Sequence, residues 1–193
     1  MGSKLLPIIM TADNLPYPFV ASASSWYDGV GTNDGNPYKG FDGVNGGDYR
    51  WVTNNTNTGW LKIDLGVTYK INKYSIQDPG EAGYETRNVK SWTMEGSNND
   101  STWTTVDTQV NVAAWSLNEI REYVCNGDTG FYRYYYLNIT LNQGGAYLGI
   151  GEWKLYISVA GGFSGFSPWM FMKDMWEKHN KLWTPKLKEG FSY

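Results

Sequence analysis

The stretch GWLKIDLG, residues 59–66, carries the clearest secondary-structure signal in the sequence. Its apolar residues, Leu61, Ile63 and Leu65, alternate with polar ones. This period of two is typical of a β-strand with one face in a core and the other in solvent. The glycine that closes the stretch is a turn signal. We therefore expect a half-buried strand here, with partner strands on either side in the sequence.

Further strand signals occur on both sides, separated by glycine, asparagine and aspartate. They are ASAS (21–24), KINKYSIQ (70–77), VKSWTMEGS (89–97), STWTTVDTQV (101–110), FYRYYYLNITL (131–141) and EWKLYIS (152–158). The alternation in residues 131–141 predicts an apolar face made of Phe131, Tyr135, Leu137, Ile139 and Leu141. Short strands, frequent turn signals and no helical period indicate an all-β sandwich or barrel.

The composition supports this class and excludes others. Aromatic residues make up 17% of the 193 residues and charged residues only 18%, with 23 glycines, which favours strands joined by shaped loops. The formal charge of -3 argues against nucleic acid as a partner, because no basic surplus is available to neutralise phosphates. The single cysteine, Cys125, excludes an intrachain disulfide. We expect no signal peptide and no membrane insertion, since no apolar run is long enough.

The pattern changes after the last strand. We expect a lead-in segment (1–17), a sandwich (18–158), a glycine-rich linker (159–166) and a helical tail (167–193). In the tail, apolar residues recur at helical spacing and predict an amphipathic arm. The residues that we expect to dock on a partner are Trp169, Met172, Met175, Trp176 and Trp183.

Two arrangements of this aromatic tail remain open. Residues 161–193 could insert into a neighbouring subunit as a docking arm, or fold back over their own sandwich. We favour docking, because the sandwich is complete without the tail. A helix on a membrane surface is disfavoured, because the polar face mixes both signs of charge.

Several segments occur in the order of a known family. They are ASAS (21–24), GFDG (40–43), Trp51, WLKIDLG (60–66), SWTMEGSNNDSTW (91–103) and GEWKLYIS (151–158). Over residues 18–158 the chain resembles the discoidin domain, or coagulation factor V/VIII type C domain, and is similar to carbohydrate-binding module family 32. The resemblance implies an eight-stranded antiparallel jelly-roll β-sandwich, discoidin-like and galactose-binding-like, with binding loops at one end.

Two departures and one further likeness refine the resemblance. Members from blood clotting carry a terminal disulfide that this chain cannot form, which favours the microbial or viral branch. Tyr136 stands where the family has the second arginine of its R-Y-[VI]-R run. LLPIIMTADNLPYPFVASASS (5–25) resembles the lead-in of discoidin proteins that bacteriophages encode, which often are virion components.

The resemblance also implies a structural Ca²⁺ site. Calcium takes six to eight oxygen ligands from carboxylates and backbone carbonyls. The ligands that the family pattern suggests are Asp42, the carbonyl of Lys39, the region from Asn45 to Asp48, and Glu152 with the carbonyl of Gly151. Such an ion would tie the N-terminal loop to the last strand. The alternative is a hydrogen-bonded Asx turn without metal.

By motif position, the binding loops are residues 25–34, 53–59, 78–88 and 142–149. A sugar needs flat aromatic faces and planar hydrogen-bonding groups. The candidates for ligand binding are Trp26, Tyr27, Asn55, Glu81, Tyr84, Arg87, Asn88 and Tyr147. For Arg87 a structural ion pair is an open alternative, and for Trp26 a place in the core.

We expect a protein that is not an enzyme, because the one histidine and one cysteine cannot supply a nucleophilic triad. The expected function is a bacteriophage virion component, present in many copies, that carries an adhesion module for host-surface glycan. It would contact other virion proteins through residues 161–193, and host lysis would release it. The alternatives are a capsid or tail decoration protein that contacts only virion proteins, and a stand-alone bacterial carbohydrate-binding module.

Overall fold

Eleven β-strands form three antiparallel sheets in the computed structural model, which describes residues 2–29, 35–44 and 49–159. The strands are β1 (Gly2–Leu5), β2 (Val20–Ala23), β3 (Trp51–Val52), β4 (Gly59–Tyr69), β5 (Ile71–Gln77), β6 (Val89–Ser97), β7 (Thr104–Gln109), β8 (Ile120–Val124), β9 (Tyr132–Asn142), β10 (Gly149–Ile150) and β11 (Glu152–Val159). Two short 3₁₀ turns, Pro37–Gly40 and Glu85–Arg87, lie in the connecting loops.

Two large sheets form the sandwich. One has the order β2-β4-β9-β6-β7, the other β1-β11-β5-β8, and β3 pairs with β10 in a small third sheet. The all-β prediction is confirmed, but the described chain has eleven strands instead of eight. The additional strands are short or lie at sheet edges, where few apolar residues are needed and the alternating pattern is weak.

The alternating apolar residues of β4 and β9 lie side by side on the inner face of the sheet and supply the centre of the core. Leu61 is opposite Leu137 and Ile63 is opposite Tyr135, and all four are fully buried. The alternation of β4 is therefore confirmed. Because side chains alternate between faces, the residues between these positions lie on the outer face of the five-stranded sheet.

The predicted apolar face of residues 131–141 is wrong at both ends. Phe131 precedes β9 and is 64% exposed, and Leu141 is 41% exposed. The pairing of β6 with β9 shifts its register around Ser91, opposite Leu141. This irregularity breaks the alternation, so that Leu141 turns outward although the sequence pattern continues.

The lead-in is part of the sandwich. β1 pairs with β11, and Leu6 and Met10 are buried in the core. The described residues up to Val159 accordingly form one compact unit, without a boundary at residue 17. The predicted helical tail and most of the linker, residues 160–193, lie outside the described residues. Within the described part, no helix has the length and hydropathy of a membrane span.

Candidate functional site

Four loops that the sequence predicted to form the binding end are joined to one another by hydrogen bonds. Loop 53–58 is joined to loops 25–29 and 142–148, and the latter is joined to loop 78–88. The bonds run from Asn54 N to Ser25 Oγ (3.2 Å), from Leu148 N to Thr56 O (3.1 Å) and from Gly145 N to Thr86 O (2.9 Å). The structure therefore brings these loops to one end of the sandwich, as predicted.

The centre of this end is the guanidinium of Arg87. It lies over the ring of Tyr84, 3.9 Å from the centroid, and 5.2 Å from the centroid of Tyr147. Tyr27 meets Tyr147 edge to face, with the ring centroids 6.4 Å apart. Together with Glu81, these residues are called the loop-end cluster below.

Ion pairs fix Arg87 in place. Glu81 Oε2 accepts a hydrogen bond from Arg87 Nη1 at 3.0 Å and forms an ion pair with Arg50 Nη2 at 2.6 Å. The Arg50 side chain is only 9% exposed, so Glu81 compensates a charge that is largely removed from water. The structural ion pair considered for Arg87 is thus present. Sequence reasoning missed Arg50, which no motif distinguishes from other arginines.

Several predicted ligand residues are open to solvent. Trp26 and Tyr84 are each 43% exposed and Tyr27 is 40% exposed. The core alternative for Trp26 is therefore excluded. Asn55 is exposed and has a φ of 51°, a left-handed conformation that asparagine adopts more readily than most residues. Aromatic surface of this kind, next to planar polar groups, suits a ligand with both apolar and hydroxyl-bearing faces.

Asn88 is a correction to the predicted site. Only 1% of the residue is exposed, and its amide Nδ2 donates to Asp78 Oδ2 at 2.6 Å and to the carbonyl of Glu85 at 3.0 Å. The backbone carbonyl of Asn88 accepts from the backbone N–H of Gln143 at 2.9 Å. Asn88 therefore joins loops 78–88 and 142–148 from inside and does not present its amide to solvent.

The predicted metal ligands Asp42 and Glu152 lie together. Glu152 is 3% exposed, and its Oε1 accepts from Gly43 N–H at 2.7 Å, while Asp42 Oδ1 accepts from Val44 N–H at 2.8 Å. Burial, followed by a hydrogen bond to Asp42, raises the pKa of Glu152 to about 8. Burial also raises the pKa of Asp42. The glycine-rich loop is therefore clamped to the start of β11.

A hard cation fits this acid pair. Two carboxyl groups in contact need either a shared proton or a nearby cation, and carboxylate oxygens are the donors that calcium prefers. Lys39 is buried close by and its charge lowers the pKa of Asp42. Asn45 and Asp48 lie outside the described residues. Among the residues that are described, no group of three or more acidic, histidine or cysteine side chains is arranged to hold a metal ion.

The sandwich with converging loops at one end defines a discoidin-type galactose-binding fold. The chain belongs to the F5/8 type C family, because the family model described as a NedA-like, galactose-binding domain matches residues 32–133, slightly more than half of the chain.

Solved structures agree with this fold. A CBM32 module of Clostridium perfringens, solved with GalNAc-β-1,3-galactose, is 18% identical with a TM-score of 0.59 over 71% of this chain and 94% of that one. The family 32 module of NanJ from the same organism, solved with galactose, is 17% identical with a TM-score of 0.55, covering 72% and 93%. An F5/8 type C domain from Bacteroides fragilis is 15% identical with a TM-score of 0.62, covering 82% and 98%.

Several of these similar structures are carbohydrate-binding modules, and the family model describes a galactose-binding domain. One similar structure is a CBM32 module from a family 31 glycoside hydrolase. A curated relative, the E3 ubiquitin-protein ligase Ufd4 of Drosophila melanogaster, is 27% identical over 125 residues. The match takes in 56% of this chain and spans 4% of the length of that protein.

Proposed function

We propose that the chain is a non-catalytic module that binds a saccharide at the loop-end cluster. The observation that carries the proposal is the exposed ring of Tyr84 against a guanidinium that Glu81 holds in place, with the exposed ring of Tyr27 packed edge to face on Tyr147 beside it. Similar folds solved with galactose and GalNAc-β-1,3-galactose support a sugar as the ligand class.

The chemistry of the cluster suits a pyranose. Aromatic faces take up the apolar C–H side of the ring, while Arg87 donates to hydroxyl oxygens and Asn55 can donate or accept. Because Glu81 already holds Arg87, little side-chain entropy is lost when the ligand binds. Trp26, exposed in the adjoining loop, extends the apolar surface for a second sugar unit.

The test uses the full chain on a glycan array, followed by calorimetric titration of the strongest saccharide. Tyr84→Ala and Tyr147→Ala should each weaken binding about tenfold or more, because each removes a ring that touches Arg87. Tyr134→Ala, which removes a tyrosine of β9 outside the cluster, is the control and should bind normally. Equal affinities for all four proteins would sink the proposal.

We also propose that the chain is a virion component of a bacteriophage, made in the host cytoplasm and released by lysis, with the module turned toward the host surface. Residues 5–25 support this by their resemblance to phage lead-in segments. The aromatic segment 161–193 supports an attachment to other virion proteins. Mass spectrometry of purified particles should find the full chain, and should not find a folded variant that lacks residues 161–193.

The alternative of a pure decoration protein is distinguished by infection. Particles that carry Tyr84→Ala and Tyr147→Ala together should adsorb to host cells more slowly than particles with Tyr134→Ala. Normal adsorption, with the chain present in the particle, would instead favour a decoration protein whose loops contact only protein.

We further propose that Asp42 and Glu152 hold a structural Ca²⁺, with the carbonyls of Lys39 and Gly151 and residues of the 45–48 region as further ligands. The acid pair, in which Glu152 is buried and Asp42 partly buried, supports this part of the proposal, because a divalent cation removes the cost of ionising both groups. The ion would stabilise the junction of the glycine-rich loop and β11 and would take no part in saccharide binding.

A further inference from the structure

A shallow cleft of about 360 Å³ lies on the outer face of the five-stranded sheet and shares no residue with the loop-end cluster. Its lining includes three aromatic residues from separate parts of the chain, Trp60, Trp103 and Tyr136. Volumes of about 300–1,000 Å³ are usual for small-ligand sites, so this cleft has room for a small ligand of about one or two sugar rings.

Strand register builds the floor of the cleft. On the outer face, Lys62 of β4 is opposite Tyr136 of β9, and Tyr136 is opposite Glu95 of β6. One pair further along, Trp60 is opposite Asn138. These side chains point away from the core because their neighbours in sequence are buried. The floor therefore stands on three central strands and is fixed by their hydrogen bonding.

The turn between β6 and β7 forms a wall. Asn99 Oδ1 accepts from the N–H groups of Ser101 and Thr102 at 3.1 and 2.9 Å, and Asp100 has a φ of 56°. Lys62 Nζ donates to both carboxylate oxygens of Asp100 at 2.7 Å. The tight turn and this ion pair hold the turn over the sheet, next to Trp103.

The three rings form one continuous surface. Tyr136 lies between the two tryptophans, with centroid distances of 5.6 Å to Trp60 and 5.1 Å to Trp103 and tilts of 40° and 38°. All three side chains are partly exposed. Asn138 and Glu95 lie beside the rings and can hydrogen-bond to hydroxyl groups. A trough of tilted rings bordered by such groups matches the apolar and polar faces of a pyranose.

The charges around the rings define which saccharides fit. Lys62 is neutralised by Asp100, and Glu95, which accepts from Thr93 Oγ1 at 2.7 Å, forms no ion pair with a described residue. The lining therefore has a net negative charge, which repels carboxylated or sulfated ligands and favours an ammonium group near Glu95. We propose that this cleft is a second saccharide-binding site, for neutral and amino-sugar oligosaccharides and not for acidic ones.

The test separates the two sites by titrating the full chain and its variants with three probes. These are chitotetraose (neutral, N-acetylated), its deacetylated form (cationic) and tetragalacturonate (acidic). In the double variant Tyr84→Ala/Tyr147→Ala, the neutral and cationic probes should still bind. Adding Trp103→Ala should weaken this residual binding about tenfold or more, whereas adding Tyr134→Ala, on the same strand and face as Tyr136, should not.

A second variant keeps the test independent of any folding defect. Glu95→Gln removes a charge without removing a ring, and should reduce the preference for the cationic over the neutral probe about threefold or more. Thermal unfolding checks that each variant is folded. Loss of all binding in the double variant would overturn the proposal, as would residual binding that Trp103→Ala leaves unchanged or tight binding of tetragalacturonate. Binding that only Trp103→Ala reduces would support the cleft and contradict the loop-end proposal.

Discussion

The loop-end cluster and the sheet-face cleft both combine aromatic rings with charged groups, but different forces hold them. In the cluster the rings belong to loops, and the ion pairs of Glu81 with Arg50 and Arg87 fix them from below. In the cleft the rings of Trp60 and Tyr136 belong to strands, and sheet register fixes them.

The ion pairs of the two regions differ in how deeply they are buried. Arg50 is largely buried, so its partner cannot be removed without leaving a costly charge behind. The pair of Lys62 and Asp100 lies at the surface, with Asp100 38% exposed, and water can replace either partner. Changes in charge should therefore damage the loop end more than the sheet face.

The acid pair of Asp42 and Glu152 should give the largest effect, because Glu152 is almost fully buried and lies against a second carboxyl group. The pKa of Glu152 is raised from 4.5 to about 8. Protonation of Glu152 therefore contributes its full stabilisation of the folded state below pH 4.5, and this contribution is lost as pH rises through about 8. In chelator, urea unfolding should show a loss on the order of 3 kcal/mol over this range. Glu152→Gln should flatten the profile, and an unchanged slope would contradict this origin.

Calcium should counteract that loss. At about 100 times its dissociation constant, the ion should stabilise the chain by roughly 2.7 kcal/mol at pH 7.5. The measurement compares melting temperatures with Ca²⁺ and with chelator, and Glu152→Gln is the control that should not respond. No shift in the unaltered chain would refute the metal site while leaving both saccharide sites untouched.

Glu81→Gln should destabilise the chain by about 2 kcal/mol. This is less than the roughly 3–5 kcal/mol for a fully buried pair, because Glu81 is 30% exposed. It should also weaken saccharide binding at the loop end, since Arg87 loses its anchor. Glu122→Gln, in the exposed pair with Lys73, is the matched control and should stay within about 0.5 kcal/mol. Equal losses for both variants would remove the distinction between buried and exposed pairs.

Asp100→Asn should give the smallest effect, about 0.5 kcal/mol or less in urea unfolding, because its ion pair is at the surface. The position tolerates asparagine well, since its φ of 56° is left-handed. A loss as large as that of Glu81→Gln would show that the cleft depends on charge as much as the loop end does.

Much of the fold could be predicted because its signals are local. The alternation in GWLKIDLG appears in the structure as β4, and the segments shared with the family set the order of the strands. β1 was not predicted as a strand, since its residues are exposed and carry no clear alternation. Leu141 was misplaced because a shift in register cannot be seen in one strand alone.

The candidate sites also differ in how far they could be predicted from the sequence. The loops around Tyr27, Tyr84 and Tyr147 could be predicted from their positions between motifs. Asn88 was assigned to the ligand because a polar residue in a loop gives no sign that its amide is buried. The cleft was not predicted, because Trp60, Trp103 and Tyr136 are far apart in sequence and only sheet pairing brings them together. Tyr136, noted as a departure from the family run, was the one available signal.

The most direct test of saccharide binding at the loop end is an NMR titration of the full chain with the strongest saccharide from the array. It follows the ring resonances of Tyr27, Tyr84 and Tyr147, with Tyr134 as the internal reference. Saturable shifts are expected in the three loop-end rings and none in Tyr134. Saturable binding that leaves all three loop-end rings unshifted would contradict this expectation, as would the absence of binding to any saccharide on the array.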